Sequence, residues 1–194
     1  KFIDRHRNQR FFLYLSHYAV HTILNGKPQL VDKYRQKHPP GKATRDRCYL
    51  CQDAGLEGDA GDHWAQDHNP HLAAMLESID DGVGMIMKTL KRLKLDDNTI
   101  IIFTSDNGGE TNVTSNAPLR AGKSSLYEGG IKSVSFVWSP KYVRGGRHSR
   151  VSLSNIDFAP TIMDLCGVPE DKRHAVDGKS FVSALQGSDD EIHD

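Results

Sequence analysis

Ile100-Ile101-Ile102-Phe103-Thr104-Ser105-Asp106-Asn107-Gly108-Gly109 is the stretch that sets the fold class. Its first six residues read as a strand that is apolar on both faces and rich in β-branched side chains, the pattern of a strand covered on either side. The last four switch to a carboxylate, an amide and two glycines, so a buried strand runs straight into a polar turn. Just upstream, Leu72, Met75, Leu76, Ile79, Val83, Ile86, Met87, Leu90 and Leu93 recur at three- and four-residue steps, one face of a long amphipathic helix. Asn69 is placed to cap that helix, with Pro70 at its first helical position, and Asp96-Asp97-Asn98 ends it in a turn. A helix feeding a doubly covered strand predicts an α/β domain with a mostly parallel sheet flanked by helices.

Outward from this stretch, Phe11 to Ser16 (FFLYLS) reads as a second buried strand, running into His17, Tyr18 and His21. Val134 to Trp138 reads as a further strand. Asn155 to Cys166 reads as a helix stopped by Gly167 and Pro169, and Ser180 to Leu185 as a last short one. Pro28, Pro39, Pro40 and Gly41, among many charges, mark an irregular stretch that predicts an insertion at 32–68, with room for short helices. The whole, 1–194, reads as one α/β domain or most of one.

Lys plus Arg number 25 and Asp plus Glu 25, and this even balance argues against a nucleic-acid binder while leaving room for a local basic pocket. No stretch is long and apolar enough to span a bilayer. The first residues are charged, with no signal peptide and no initiator Met, so the expectation is either a processed protein or a fragment.

Ligands of open α/β sheets bind at the carboxyl ends of strands. If the two buried strands are parallel, His21 and the Asp106-Asn107-Gly108-Gly109 turn arrive at one edge. Asp106 and Asn107 offer hard oxygen donors, suited to Ca²⁺ or Mg²⁺, and the two glycines let backbone approach a ligand. The plain alternative is an ordinary Asp-Asn-Gly-Gly turn. Lys123, between small residues in Arg120-Ala121-Gly122-Lys123-Ser124-Ser125, can meet an anion, though Ala117 stands where a phosphate loop needs its first glycine. Taken alone, Lys123 and His21 are both more simply surface residues.

Cys48 and Cys51, followed by His63 and His68, approach the spacing of a structural zinc site, with His71 a further candidate. The alternatives are a reduced cysteine pair or a local disulfide. Asp80 and Asp81 are adjacent on the long helix and diverge by about 100°, so both reaching one metal is not expected. Asn112-Val113-Thr114 fits a glycosylation acceptor.

Taken together and in order, these segments resemble the sulfatases of the alkaline-phosphatase superfamily. The resemblance rests on Phe11 to Ser16 followed by His21-Thr22, and on Thr104-Ser105-Asp106-Asn107-Gly108-Gly109. It rests further on Leu119 to Lys123 followed by Tyr127-Glu128-Gly129-Gly130, and on Asp157-Phe158-Ala159-Pro160-Thr161 with the loop after it. It implies an alkaline-phosphatase-like α/β/α sandwich whose N-terminal part lies outside this chain. Asp106 and Asn107 would be ligands of Ca²⁺, with Mg²⁺ possible. His21 and Lys123 would contact sulfate oxygens and help protonate the departing alcohol, with Arg120 and Glu128 as candidates to orient Lys123. Ile23 stands where many relatives carry Pro.

The resemblance also implies a formylglycine nucleophile made from the Cys or Ser of C-x-[PSA]-x-R, a motif that none of Cys48, Cys51 or Cys166 begins. The expectation is therefore sulfate ester hydrolysis by the complete protein, with this chain inactive alone. The substrate would be a small-molecule or carbohydrate sulfate ester. A periplasmic, secreted or lysosomal-type compartment is suggested by the resemblance only. The alternatives are a phosphodiesterase or phosphonate hydrolase of the same superfamily, and a non-catalytic anion-binding relative.

Overall fold

A computed structural model describes residues 1–37 and 68–193. They divide into two compact units, Lys1–Leu93 with Asn107–Ser133, and Lys94–Asp106 with Val134–Asp194.

The first unit holds four helices among its described residues: α1 (Phe2–His6), α2 (Pro28–Lys37), α3 (Pro70–Arg92) and α4 (Glu128–Ile131). The expected long helix is α3. The Asn69 side chain accepts from the N–H groups of His71 and Leu72 at 3.0 and 3.1 Å, two donors that the helix itself cannot satisfy. Pro70 occupies the first turn, and Lys91 and Arg92 stand in the last, where positive charge suits the helix dipole. Ala74, Met75 and Leu90 are buried on its inner face. Helices α1 and α2 dock on it. In α2, Val31 is buried, and the Lys33 ammonium reaches both Glu77 oxygens at 2.7 and 2.8 Å. In α1, Ile3 is buried while Asp4 takes a hydrogen bond from Arg92. Asp80 and Asp81 are exposed, consistent with a solvated face.

Phe11 to Ser16 departs from expectation. It is not in a strand, and Phe12, Tyr14 and Leu15 are 65%, 80% and 53% exposed. An apolar run becomes a strand only when another strand satisfies its backbone groups, and among the described residues nothing pairs with it. The 32–68 insertion begins inside α2, and residues 38–67 lie outside the described part.

In the second unit, β1 (Ile101–Thr104) pairs with β2 (Ser135–Trp138). The register sets Ile101 opposite Trp138 and Thr104 opposite Ser135, and the pair is antiparallel. The two-faced apolar pattern of β1 reports how fully a strand is covered. It carries no information on the direction of its neighbour, and here that neighbour, β2, runs antiparallel. Phe103 and Phe136 face each other across the pair, with ring centroids 4.9 Å apart.

The expected Asn155–Cys166 helix divides into a 3-10 turn at Asn155–Asp157 and α5 (Phe158–Leu165). The final helix is α6 (Val182–Gln186). Asp157, fully buried, ties them together. Its carboxylate accepts from the N–H groups of Ser154 and Lys179 at 2.7 and 2.8 Å, and His193 Nε2 lies 2.9 Å away. Thr161 relays the anchor, donating to the Asp157 carbonyl and accepting from the Phe181 N–H. Among the described residues, no helix is long and apolar enough to cross a membrane.

Candidate active site

The Asn107–Gly109 turn and the Lys123 loop both belong to the first unit, and hydrogen bonds lace them together. Gly108 donates to the Gly130 carbonyl at 2.9 Å, at the base of α4. A Cβ at position 108 would lie 1.8 Å from the Gly129 carbonyl oxygen, so only glycine lets these two backbones touch. One residue on, the Gly109 carbonyl accepts from the Lys123 N–H at 3.0 Å. That bond places Lys123 beside the Asp-Asn turn, although 16 residues separate Lys123 from Asn107 along the chain (123 − 107).

The residue that organises this contact is Asn116, which the sequence reading did not single out. Its Oδ1 accepts from the Gly109 N–H at 3.0 Å. Its Nδ2 donates to the Gly109 carbonyl at 2.9 Å and the Ala121 carbonyl at 3.1 Å. One amide thus bridges the turn and the lysine loop. No motif spacing marks such a residue, because its partners are backbone groups whose positions appear only in the fold.

The lysine loop is held in a costly shape. Ala121 and Ser124 both adopt positive φ, 61° and 70°, on either side of Gly122-Lys123. Non-glycine residues at such angles are strained by about 1–2 kcal/mol each, and they persist where surrounding bonds over-determine the loop. Lys123 is half-buried, and among the described residues its ammonium has no acidic partner. Arg120 and Glu128 are committed elsewhere. The Arg120 guanidinium lies 3.8 Å from the centroid of the Tyr127 ring, and Glu128 faces Lys132 at 4.0 Å.

His21 sits on a separate, exposed turn of the same unit, closed by its own N–H donating to the Tyr18 carbonyl. Its Nδ1 lies 2.5 Å from the Thr22 carbonyl, and its ring leans on Tyr18 at 5.4 Å between centroids. Leu24, from the His21 segment, is buried in one apolar cluster with Met75 of α3 and Val113 of the segment leading to Lys123, with Ala19, Val20 and Leu72 packed around it. That cluster is the shared foundation of the two loops.

Asp106 follows β1 with its side chain exposed, while its backbone carbonyl accepts from Asn155 Nδ2 at 3.4 Å. Asn107 Nδ2 donates to the Gly108 carbonyl at 2.8 Å, which identifies Oδ1 as the amide atom able to ligate a cation. A carboxylate and an amide oxygen fit Ca²⁺ or Mg²⁺ by donor type, but Ca²⁺ takes six to eight oxygens, so this pair would be part of a shell. Among the described residues, no three His, Cys, Asp or Glu groups are placed to hold a metal. The zinc expectation at Cys48, Cys51 and His63 lies outside the described residues. His68 is described and exposed, and His71 is buried.

Comparison with known proteins decides the family. The sulfatase family model matches residues 1–168.

The chain belongs to the sulfatase family.

Human steryl-sulfatase is 29% identical to it over 96% of this chain and 28% of the relative. Mouse arylsulfatase J is 38% identical over 86% of this chain and 24% of the relative. Among solved structures, the sulfatase-like Ps i-CgsB in complex with k-i-k-neocarrahexaose superposes with a TM-score of 0.72 at 30% identity. The superposition covers 94% of this chain and 35% of that one. These matches establish the alkaline-phosphatase-like α/β fold of sulfatases for the chain. The chain spans roughly a quarter to a third of the sulfatases it matches, and the family is metal-dependent.

Proposed function

We propose that the protein carrying this chain hydrolyses sulfate esters. In this reading the chain is part of one catalytic domain that includes the 32–68 insertion. It supplies the sulfate-contacting groups His21 and Lys123 and the metal ligands Asp106 and Asn107, while the attacking formylglycine comes from outside these 194 residues. The observation that carries the reading is the bond from the Lys123 N–H to the Gly109 carbonyl, which joins a half-buried cation with no acidic partner among the described residues to the end of a hard-ligand turn. Cleaving a sulfate ester builds negative charge on the leaving oxygen and on the sulfuryl oxygens, and groups fixed in advance stabilise that charge best. The Asn116 bridge and the strained Ala121 and Ser124 supply such fixing for Lys123. In this reading His21, on an exposed turn, passes a proton to the departing alcohol. Ca²⁺ at Asp106 and Asn107, with Mg²⁺ as the alternative, would neutralise charge on the sulfate when bound. The substrate is a small-molecule or carbohydrate sulfate ester. The compartment that the family suggests is periplasmic, secreted or lysosomal-type, and zinc at the Cys48, Cys51, His63, His68 segment would be structural.

The test is steady-state turnover of 4-nitrophenyl sulfate and 4-nitrophenyl phosphate by the full-length protein. We expect sulfate hydrolysis that is lost with EGTA and restored by Ca²⁺. Lys123→Ala should lower kcat about 10²–10³-fold, the range for removing one group that stabilises developing charge. Undiminished turnover by Lys123→Ala, or hydrolysis of the phosphate ester alone, would overturn the reading.

A further inference from the structure

Within the second unit, an open cavity of about 390 Å³ is lined by Lys141, Tyr142, Val143, Arg144, Leu165 and Gln186. That volume falls within the usual range for small-ligand pockets. Its place in the unit separates it from Asp106. Asp106 lies just beyond the Thr104 end of β1, where Ser135 opens β2. The cavity loop leaves from Trp138, at the opposite end of the pair, on the order of 10 Å away along the strands. Tyr142 confirms this polarity, because its hydroxyl donates to Asn98, ahead of β1.

The cavity sits in an unusual concentration of charge. Between 141 and 150 stand Lys141, Arg144, Arg147, His148 and Arg150 with no carboxylate, in a chain whose total charge is zero. Arg147 is neutralised by Asp189 at 3.4 Å. Lys141 and Arg144 have no acidic partner among the described residues, and these are the two cations that line the cavity. The loop is pinned rather than loose. The Arg144 N–H donates to the Leu185 carbonyl at 3.2 Å, and Gly187 admits the Arg147 guanidinium where a Cβ would stand 2.3 Å from it. The Lys141 ammonium stands 5.2 Å from the centroid of the Tyr142 ring. An aromatic ring and the Val143 and Leu165 side chains thus meet one amide and two cations that have no acidic partner among the described residues.

This combination fits one ligand chemistry. A sugar ring offers C–H surface to an aromatic and aliphatic wall, hydroxyls to an amide, and, when sulfated, an anion to lysine and arginine. We propose that this cavity is a second binding site, at the end of the β1–β2 pair away from Asp106, for a sulfated sugar unit of an oligosaccharide. It would hold a chain whose other units extend beyond it. The assignment rests on the cavity's own residues, with the proposed hydrolysis adding only the reason that such a chain would be present.

The experiment uses the full-length protein, the Lys141→Ala/Arg144→Ala variant and Gln186→Ala. Calorimetric binding is measured for a sulfated tetrasaccharide, for its desulfated counterpart and for a single-stranded oligodeoxynucleotide of matching charge. The double variant should bind the sulfated tetrasaccharide at least tenfold more weakly, and Gln186→Ala should weaken it by a smaller factor. Turnover of 4-nitrophenyl sulfate should stay unchanged in both. An unaltered tetrasaccharide affinity in the double variant overturns the site. So does an oligodeoxynucleotide that binds as tightly and weakens equally, because the cavity would then be charge without sugar recognition. Because the readout is binding, failure of the site and failure of the proposed hydrolysis are separate results.

Discussion

Asn116 and Gly109 exchange two hydrogen bonds, the Asn116 side chain accepting from the Gly109 N–H at 3.0 Å and donating to its carbonyl at 2.9 Å. The exchange mimics a pair of strand residues, with a side-chain amide standing in for a backbone one. The same Gly109 carbonyl also receives the Lys123 N–H, so Asn116 sets the place of Lys123 without touching its ammonium. Asn116→Asp preserves shape but removes both donated bonds. In the full-length protein we expect sulfate ester turnover to fall about 10–100-fold, the range for residues that orient a reacting group from behind. Steady-state kinetics checks this, and turnover equal to wild type would reduce Asn116 to a loop fastener.

The touching backbones of Gly108 and Gly129 give a harsher prediction. Gly108→Ala would force a methyl into the Gly129 carbonyl, 1.8 Å from its oxygen. We expect a loss of about 1–3 kcal/mol or more, with the lysine loop displaced. Urea denaturation of the variant measures it, and a loss below half a kilocalorie would mean that the two segments separate easily.

Strain predicts the opposite sign at Ser124. Its φ of 70° is unfavourable for serine and comfortable for glycine. Ser124→Gly should therefore raise stability by up to about 1 kcal/mol. Turnover should stay the same or fall, because a glycine lets the loop relax. A lower melting temperature would show that the loop shape is imposed by the serine side chain.

Asp157 carries a pH signature. Burial pushes its carboxyl up, but the bonds from Ser154, His193 and Lys179 together outweigh burial and hold it below its ordinary value of 3.8. A group that ionises more readily when folded adds stability above the unfolded pKa, and that stability drains away as pH falls through the folded one. Wild type should thus lose unfolding free energy below about pH 4, beyond what Asp157→Asn loses there. At neutral pH the variant should already be weaker by about 1–3 kcal/mol, because an amide cannot accept from all its donors. Urea titrations at neutral and acid pH compare the two directly.

Much of this was legible from residue order, and what was not has a physical reason. The Asn69 cap and α3 follow from local rules, since a helix and its cap are satisfied by neighbours in sequence. The short last helix was placed for the same reason, and β1 and β2 were placed because each has the other as its partner. Phe11 to Ser16 was not placed correctly, because a strand depends on a distant partner and hydrophobicity alone does not supply one. The direction of β1 against β2 was hidden for the same reason. At the site, Asp106, Asn107 and Lys123 stood out by residue type and spacing. Asn116 did not, because it works on backbone atoms. Arg120 rests on the Tyr127 ring and Glu128 faces Lys132, contacts that residue order does not announce.

The exposed Phe11-Phe12-Leu13-Tyr14-Leu15 run has a practical consequence for anyone handling these 194 residues alone. Its backbone amides and carbonyls have no ladder partner among the described residues, and most of its side chains face solvent. A segment of that kind pairs readily with its copy in another molecule, and self-association then rises with concentration. Arg7 and Arg10 flank it on one side and act as gatekeepers through charge repulsion. High salt would screen them and bring precipitation on sooner, so the isolated chain should be kept dilute and at low ionic strength.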